Sequence, residues 1–262
     1  MQATEYLQGL ITNWLNGDDF PSVPGQLKIA LSEADPTDTG SGFDETTGGS
    51  YARQNITLTA PTTNEVNGAV SSNNAAIIFS GLPTVTATHI AIFNNAGSQM
   101  LFYGPLEAVR AVVSGDSISF PANSISVAFK GVISKYLGEA VMNWARGTSM
   151  PTAPTSVKME LSKANPLRDG TGIQLPSGSD GYLSQDLVFN VPVFASGTGT
   201  TITNAEPIIF GPASTTAWGS ITYAAAYAGS NMLFYGPLAA TKTVAVGESI
   251  GFAAESLSLL VR

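Results

Sequence analysis

The chain has 262 residues, no cysteine, a single histidine and a net charge of −8. The lack of cysteine excludes disulfides and thiolate chemistry, and the acidic balance opposes the phosphate neutralisation that a nucleic-acid partner requires. No apolar run of about 18 residues occurs, and the N-terminus lacks the basic start and apolar centre of a secretory signal, so we expect neither a membrane span nor a signal peptide.

The first predicted element is an amphipathic helix over residues 4–16. Its apolar residues recur at helical spacing and form one stripe, which consists of Leu7, Leu10, Ile11 and Trp14. Thr4 is the predicted N-cap, and Gly17 is the predicted stop. The same design returns around Trp144, so the chain is predicted to contain two such helices.

The sequence carries an internal duplication. The stretch Ala96–Leu106 returns as Ala228–Leu238, and the two copies differ only at Gln99, which Asn231 replaces. Such a match indicates a duplicated domain. We therefore predict two domains, 1–131 and 132–262, each long enough to bury its own core.

Short alternating segments separated by Gly, Asn, Ser and Pro turns follow each helix. This pattern predicts a mainly β protein with two tandem antiparallel β-sandwiches of jelly-roll type, each preceded by one amphipathic helix. Within the first copy, Gln99–Leu106 and Ala108–Val113 are predicted as separate strands. Simple alternation would place Leu101 and Tyr103 on one face of a strand and Phe102 on the other.

Residues that could carry chemistry are few. His89 lies in an alternating strand, and Tyr223 replaces it in the second copy, which favours a structural role over a catalytic one. The acidic residues Asp35, Asp38, Asp44 and Glu45 lie in one turn-rich loop, where they could gather Ca²⁺ or simply be solvated. No nucleophile elbow or phosphate loop occurs, so we expect no enzymatic activity, no cofactor and no metal.

The candidate residues are therefore structural or lie at interfaces. Trp14 and Trp144 are expected to pack each helix onto its sandwich. The repeated stretch is expected to lock each sandwich or to join one sandwich to another. The full set of candidates is Trp14, Trp144, Leu101, Phe102, Tyr103, Leu233, Phe234, Tyr235, Tyr51, Arg53 and His89.

Several segments together resemble a small β-rich virion-protein domain of tailed bacteriophages, found among tail-fibre-like and capsid-decorating proteins. These segments are Tyr6-Leu7, Trp14, Leu31, Pro36–Asp38, Gly48–Gln54, Thr88–Phe93, Leu101–Gly104 and Val113–Phe120. The resemblance covers almost all of residues 5–130, and the second half is similar to a diverged copy. It implies a virion protein that is made in the host cytoplasm and that carries no catalytic residues.

Within that class, the sequence favours a capsid-decorating (cement) protein that bridges capsid subunits. Its partners would be the major capsid protein or other virion proteins, and it would self-associate, with a trimer as the expected state. A tail-fibre, baseplate or adhesin component is the first alternative, although the long heptad shaft of many fibres is absent. A carbohydrate-binding module is the second, with Tyr51 and Phe43 as aromatic candidates.

Overall fold

A computed structural model describes residues 1–262. We refer to residues 1–131 as the first repeat and to 132–262 as the second repeat. The first repeat contains one helix and ten strands: β1 (Gln2–Ala3), α1 (Glu5–Leu15), β2 (Leu27–Ser32), β3 (Gln54–Ile56), β4 (Thr62–Asn64), β5 (Gly68–Ser72), β6 (Ile77–Phe79), β7 (Val85–Phe93), β8 (Met100–Val112), β9 (Ile118–Phe120) and β10 (Ser126–Phe129).

The second repeat contains one helix, nine strands and a short 3-10 turn at Gly178–Asp180. Its elements are α2 (Lys135–Ala145), β11 (Lys158–Ser162), β12 (Gln185–Asp186), β13 (Val193–Ala195), β14 (Gly199–Thr203), β15 (Ile208–Phe210), β16 (Gly219–Ala228), β17 (Asn231–Val244), β18 (Ile250–Phe252) and β19 (Ser258–Val261). The fold is therefore mainly β, with two helices, as the sequence predicted.

Helix α1 lies within the predicted range 4–16, and α2 lies around Trp144 as predicted. The Thr4 side chain caps α1 by accepting a hydrogen bond from the Leu7 amide, and Ser134 caps α2 through the Leu137 amide in the same way. Past the end of α1, Gly17 has φ +100°, a conformation that glycine adopts at little cost. The capping residues and the apolar stripes thus fix both helices locally.

The strands of each repeat form separate antiparallel sheets. The first repeat has a five-stranded sheet in the order β1-β8-β7-β2-β3, a three-stranded sheet β10-β5-β4 and the pair β6-β9. The second repeats this plan with β12-β11-β16-β17, β13-β14-β19 and β15-β18. In the first repeat, β5 pairs with β10, β6 with β9 and β7 with β8. This nested pairing is that of a long hairpin rolled up, as in a jelly roll.

Two features of the strands differ from the sequence prediction. The two strands predicted at Gln99–Leu106 and Ala108–Val113 are one strand, β8, because Gly104-Pro105 does not interrupt the pairing with β7. The hairpins β4-β5 and β13-β14 were not predicted at all. Neither helix is long and apolar enough to cross a membrane.

A single hydrophobic core runs through both repeats. It consists of 48 buried residues and includes Trp14 of α1 and Trp144 of α2. A second, small cluster lies on the opposite face of the five-stranded sheet and includes Phe93, Met100 and Tyr103, with Phe43 packed against it. Contrary to the expectation of one core per repeat, the helices make the two sandwiches continuous with each other.

Candidate functional site

Each helix lies between the two repeats. Helix α1 packs on β8 of its own repeat and on β14 and β19 of the second repeat. Helix α2 packs on β17 of its own repeat and on β4 and β5 of the first repeat. The contact is therefore reciprocal, since each repeat contributes a helix to the sheet of the other.

The two tryptophans link the repeats in the same reciprocal way. The Trp14 indole N–H donates to the Pro151 carbonyl oxygen at 2.8 Å, and the Trp144 indole N–H donates to the Pro21 carbonyl oxygen at 3.0 Å. The ring of Phe20 meets Trp144 edge-on, with 5.3 Å between the centroids. Both tryptophans are buried, so these bonds form where an unpaired N–H would be costly. Each tryptophan thus contacts the other repeat as well as its own.

Further polar contacts cross between the repeats near the tryptophans. The Asn16 side-chain amide donates to the Asn190 carbonyl oxygen at 3.1 Å, and the Arg146 Nε donates to the Leu58 carbonyl oxygen at 3.1 Å. Asn16 and Arg146 are the C-caps of the two helices, so the same helix end makes the crossing contact in both repeats. The pairing of the repeats is approximately two-fold symmetric in its main contacts.

Asp38 and Arg168 break this symmetry. Asp38 accepts hydrogen bonds from Ser196 Oγ at 3.1 Å and from the Gly197 amide at 2.7 Å, both in the β13-β14 turn. Arg168 lies against the corresponding β4-β5 turn, where its guanidinium donates to the Glu65 carbonyl oxygen and its backbone amide donates to Glu65 Oε1 at 2.8 Å. Both side chains are buried, with 5% and 4% exposed. The two turns are thus held by groups of opposite charge.

The repeated stretch anchors the helices through a β-bulge. In β8, Phe93 pairs with Met100 and Ile92 with Phe102, which leaves Leu101 as an extra residue. The carbonyl oxygens of the bulge receive the helix cap, since Thr4 Oγ1 donates to the Met100 oxygen at 2.6 Å and the Thr4 amide donates to the Leu101 oxygen at 3.1 Å.

The second repeat has the same bulge at Leu233, because Tyr227 pairs with Met232 and Ala226 with Phe234. Ser134 Oγ donates to the Met232 oxygen at 2.5 Å, and the Ser134 amide donates to the Leu233 oxygen at 3.0 Å. Both copies of the repeated stretch thus receive the cap of the helix in their own repeat.

The bulge corrects the predicted orientation of the repeated stretch. Leu101 and Phe102 both face the main core, whereas Tyr103 belongs to the small cluster on the other face. In the second repeat Leu233 is fully buried, while Phe234 and Tyr235 are half-buried. An extra residue in one strand defeats simple alternation, so Leu101 does not share a face with Tyr103.

Tyr51 and Arg53 form one network around Glu45. The Tyr51 hydroxyl donates to Glu45 Oε1 at 3.0 Å and accepts from the Leu31 amide at 3.1 Å. Arg53 donates to both Glu45 oxygens at 2.8 and 2.7 Å and lies 3.9 Å from the centroid of the Phe93 ring. Burial raises the pKa of Tyr51, and the hydrogen bond to Glu45 raises the pKa of Arg53. Tyr51 is thus part of the fold rather than an exposed aromatic platform.

The second repeat has a corresponding tyrosine, Tyr182, but the acidic partner of its hydroxyl lies elsewhere in the sequence, at Glu160 in β11. Tyr182 donates to Glu160 Oε2 at 2.6 Å and accepts from the Leu161 amide at 2.7 Å. Burial and the hydrogen bond to Glu160 raise the pKa of Tyr182. Its ring stacks on Phe210 at 5.9 Å, as Tyr51 stacks on Phe79 at 5.8 Å. Ser184 replaces Arg53 in the sequence, so this repeat lacks the guanidinium.

His89 and the acidic loop do not form a metal-binding group. His89 Nδ1 lies 2.9 Å from Thr88 Oγ1, and its Nε2 lies 3.9 Å from Asp35 Oδ1. Of the acidic residues in the loop, Asp38 contacts the second repeat, Glu45 pairs with Arg53 and Asp44 is exposed. No group of three or more His, Cys, Asp or Glu residues lies close enough to hold a metal ion.

Sequence reasoning missed the turns that receive Asp38 and Arg168. The β4-β5 turn contains Asn67-Gly68, a dipeptide typical of tight hairpins, and that signal could have revealed it. No comparable signal in the sequence shows that each helix packs on the sheet of the other repeat.

A family model described as podophage GP4 fiber I protein gp80 matches residues 2–128 and, a second time, residues 132–260. The chain belongs to this family. It is therefore a structural protein of a bacteriophage virion and contains two repeated segments of the gp80 family. No curated protein matches the chain.

Proposed function

We propose that the chain is a compact component of a phage fibre in which the two interlocked gp80-family repeats act as one rigid block. The single observation that carries the proposal is the match of the fibre-protein family to both repeats. The reciprocal helix contacts and the short connection of residues 130–134 support the rigid block. The role needs surface complementarity and no reacting group.

The free edge of the long strand β8 supports assembly with neighbours. Strand β1 covers β8 only at Phe102 and Tyr103, and beyond Gly104 the outer edge of β8 pairs with no strand. Exposed backbone donors and acceptors of this kind are able to pair with another chain. Val109 is 61% exposed on this stretch. The edge supports the predicted self-association, and the trimer remains a prediction that light scattering on the purified protein would test.

Capsid decoration is the second candidate. The observation that favours it is the length of the helices. Both are only 11 residues long, so neither can form a coiled-coil shaft. A decorating protein stabilises a shell by burying additional interface between its subunits. The two roles thus predict different locations and copy numbers, and both place the protein in the virion.

Quantitative mass spectrometry of purified virions, combined with gold-labelled antibodies in electron microscopy, separates the candidates. The fibre role predicts label at the tail or at projections and a copy number that is a small multiple of the tail symmetry. A copy number comparable to that of the major capsid protein, with label over the whole shell, would instead support decoration. Absence from the particle would contradict both.

A further inference from the structure

A trough of about 700 Å³ lies beside α1, at the place where the two repeats meet. Four segments form its walls: the exposed side of α1, the loop 38–43, the turn 98–100 and residues 191–194 of the second repeat. Its volume falls within the range of about 300–1,000 Å³ that is typical of small-ligand sites. The trough exists only in the paired arrangement of the repeats, since both repeats contribute walls.

Aromatic rings provide the apolar part of the trough. Tyr6 and Phe43 come from the first repeat and Phe194 from the second, and all three are half-buried. Phe43 is held in place by the ring of Phe93, with 5.1 Å between the centroids. Because the three rings are only half-buried, each keeps some exposed surface for contact with a ligand.

Some of the polar side chains that line the trough are free to bind a ligand. Glu5, Asn13 and Gln99 line it, and their side chains make no hydrogen bond within the protein. No Lys, Arg or His lines the trough. The Asp38 carboxylate, which also lines it, is already engaged by Ser196 and Gly197. The walls thus offer one free carboxylate and two free amides, and no cationic side chain.

The corresponding place in the second repeat is filled. Glu139 occupies the position of Gly9, and its carboxylate accepts a hydrogen bond from Thr63 Oγ1 at 2.7 Å and pairs with Lys135. Thr63 stands at the β4 position that corresponds to Phe194 in β13. The second repeat has therefore lost both the space beside the helix and the aromatic ring opposite it.

We propose that the trough binds an uncharged saccharide. A sugar ring presents apolar C–H faces to aromatic rings and hydroxyl groups to carboxylates and amides, which are the two kinds of group that line the trough. The free carboxylate accepts from hydroxyl donors, and the amides of Asn13 and Gln99 both donate and accept. The lack of a cation disfavours phosphorylated, sulfated and carboxylated ligands. This site goes beyond the proposed structural role and does not depend on the protein's place in the virion.

The test uses the purified full-length chain on an array of neutral and anionic oligosaccharides, followed by calorimetry with the neutral oligosaccharide that gives the strongest signal. We expect a neutral glycan to bind. Phe43→Ala and Phe194→Ala should each weaken binding about tenfold, which corresponds to the ~1.4 kcal/mol that one ring contact can supply.

Gly9→Glu is the decisive variant because it reproduces the second repeat in the first. A Cβ at Gly9 meets no atom within 4 Å, so the substitution fits the helix, and glutamate is a better helix former than glycine. The variant should abolish glycan binding and keep the thermal stability of the parent. The matched control is Glu139→Gln in α2, which should bind as the parent does.

Three results would overturn the proposal. The first is that no neutral glycan on the array binds, and the second is that Gly9→Glu binds the neutral glycan as tightly as the parent. The third is a preference for anionic glycans or for an extended peptide over the neutral glycan in direct competition. Virion location is measured separately, so failure of this test leaves the proposed fibre role intact.

Discussion

Asp38 and Arg168 occupy the same position in the two repeats and bring opposite charges to the same kind of turn. The preceding residues, Thr37 and Leu167, both have φ +60°, and the backbone oxygens of Asp38 and Arg168 accept from the amides of Glu5 and Lys135. The loops are therefore equivalent in backbone and opposite in charge. Two copies of the first repeat paired in this way would bring Asp38 against Glu65, so the charges favour pairing of unlike repeats.

Asp38→Ala should lower the free energy of unfolding by about 1.5–3 kcal/mol, because two hydrogen bonds to a buried carboxylate are lost. Chemical denaturation followed by tryptophan fluorescence measures the change. Asp44→Ala is the control, since Asp44 is exposed and its replacement should change stability by no more than about 0.5 kcal/mol. Equal effects of the two substitutions would contradict the role of Asp38 in holding the β13-β14 turn.

Arg168→Met should destabilise the protein by about 1–3 kcal/mol, because the carbonyl oxygens of Ile133 and Glu65 lose their buried donor. Arg168→Asp should cost more, because it places a second carboxylate beside Glu65. Thermal unfolding of both variants shows which of the two is less stable. If Arg168→Asp were the more stable of the two, the charge complementarity at this turn would be disproved.

Trp14→Phe and Trp144→Phe should each lower stability by about 2–4 kcal/mol, because the hydrogen bond to the other repeat is lost and the smaller phenyl ring leaves a cavity where the indole was buried. For a chain of this size, each kcal/mol corresponds to a fall in Tm of about 2–4 °C. Hydrogen exchange should also accelerate at amides of α1 and α2. Trp218→Phe is the control, since its indole bonds to Asp180 within the second repeat and its loss should leave helix exchange unchanged. Similar exchange in all three variants would argue against a linking role.

Leu101→Ala and Leu233→Ala should each cost about 2–5 kcal/mol, because both side chains are fully buried at the bulge that anchors a helix. Leu101→Asp and Leu233→Asp should prevent folding or assembly, because they bury an unpaired charge. Leu183→Ala provides the control, since Leu183 is 70% exposed. Soluble, particle-competent Leu101→Asp and Leu233→Asp proteins would refute this role.

Stability should fall as the pH rises above about 10, the usual pKa of tyrosine in an unfolded chain. Burial raises the folded-state pKa of Tyr51 and Tyr182, so the folded protein keeps protons that the unfolded chain has lost, and their contribution is complete only below pH 10. Denaturation at pH 8–11 measures the slope. The double variant Tyr51→Phe and Tyr182→Phe should show a shallower fall, and an unchanged slope would exclude these two residues as its cause.

The sequence was sufficient for elements that show a local signal. Apolar spacing and the cap Thr4 predicted α1, and the return of the same pattern around Trp144 predicted α2. Strands β4 and β13 are only three residues long, which is too short for alternation to reveal them. Each of the hairpins β4-β5 and β13-β14 packs against the helix of the other repeat. Such a contact joins residues far apart in the sequence, and no local pattern reveals it.

The candidate site, too, was predicted only in part from the sequence. The repeated stretch was predicted to lock or join the sandwiches, but its bulge places Leu101 and Phe102 on the same face, whereas simple alternation had put them on opposite faces. Asp38 was noticed only as one acid in a loop, although its position opposite Ser196 gives it a specific task. Arg168 drew no attention, because a single arginine in a loop has no distinguishing sequence pattern.

Each helix packs on the sheet of the other repeat, and the covalent connection between the repeats makes this association intramolecular. In a chain with one such repeat, the outer face of the helix and the face of the hairpin sheet would have to find their partners on another molecule, and the contact would depend on protein concentration. Joining the two repeats in one chain makes the same contact unimolecular, with an effective concentration set by residues 130–134, which lie between β10 and α2. Dilution alone therefore cannot separate the two halves.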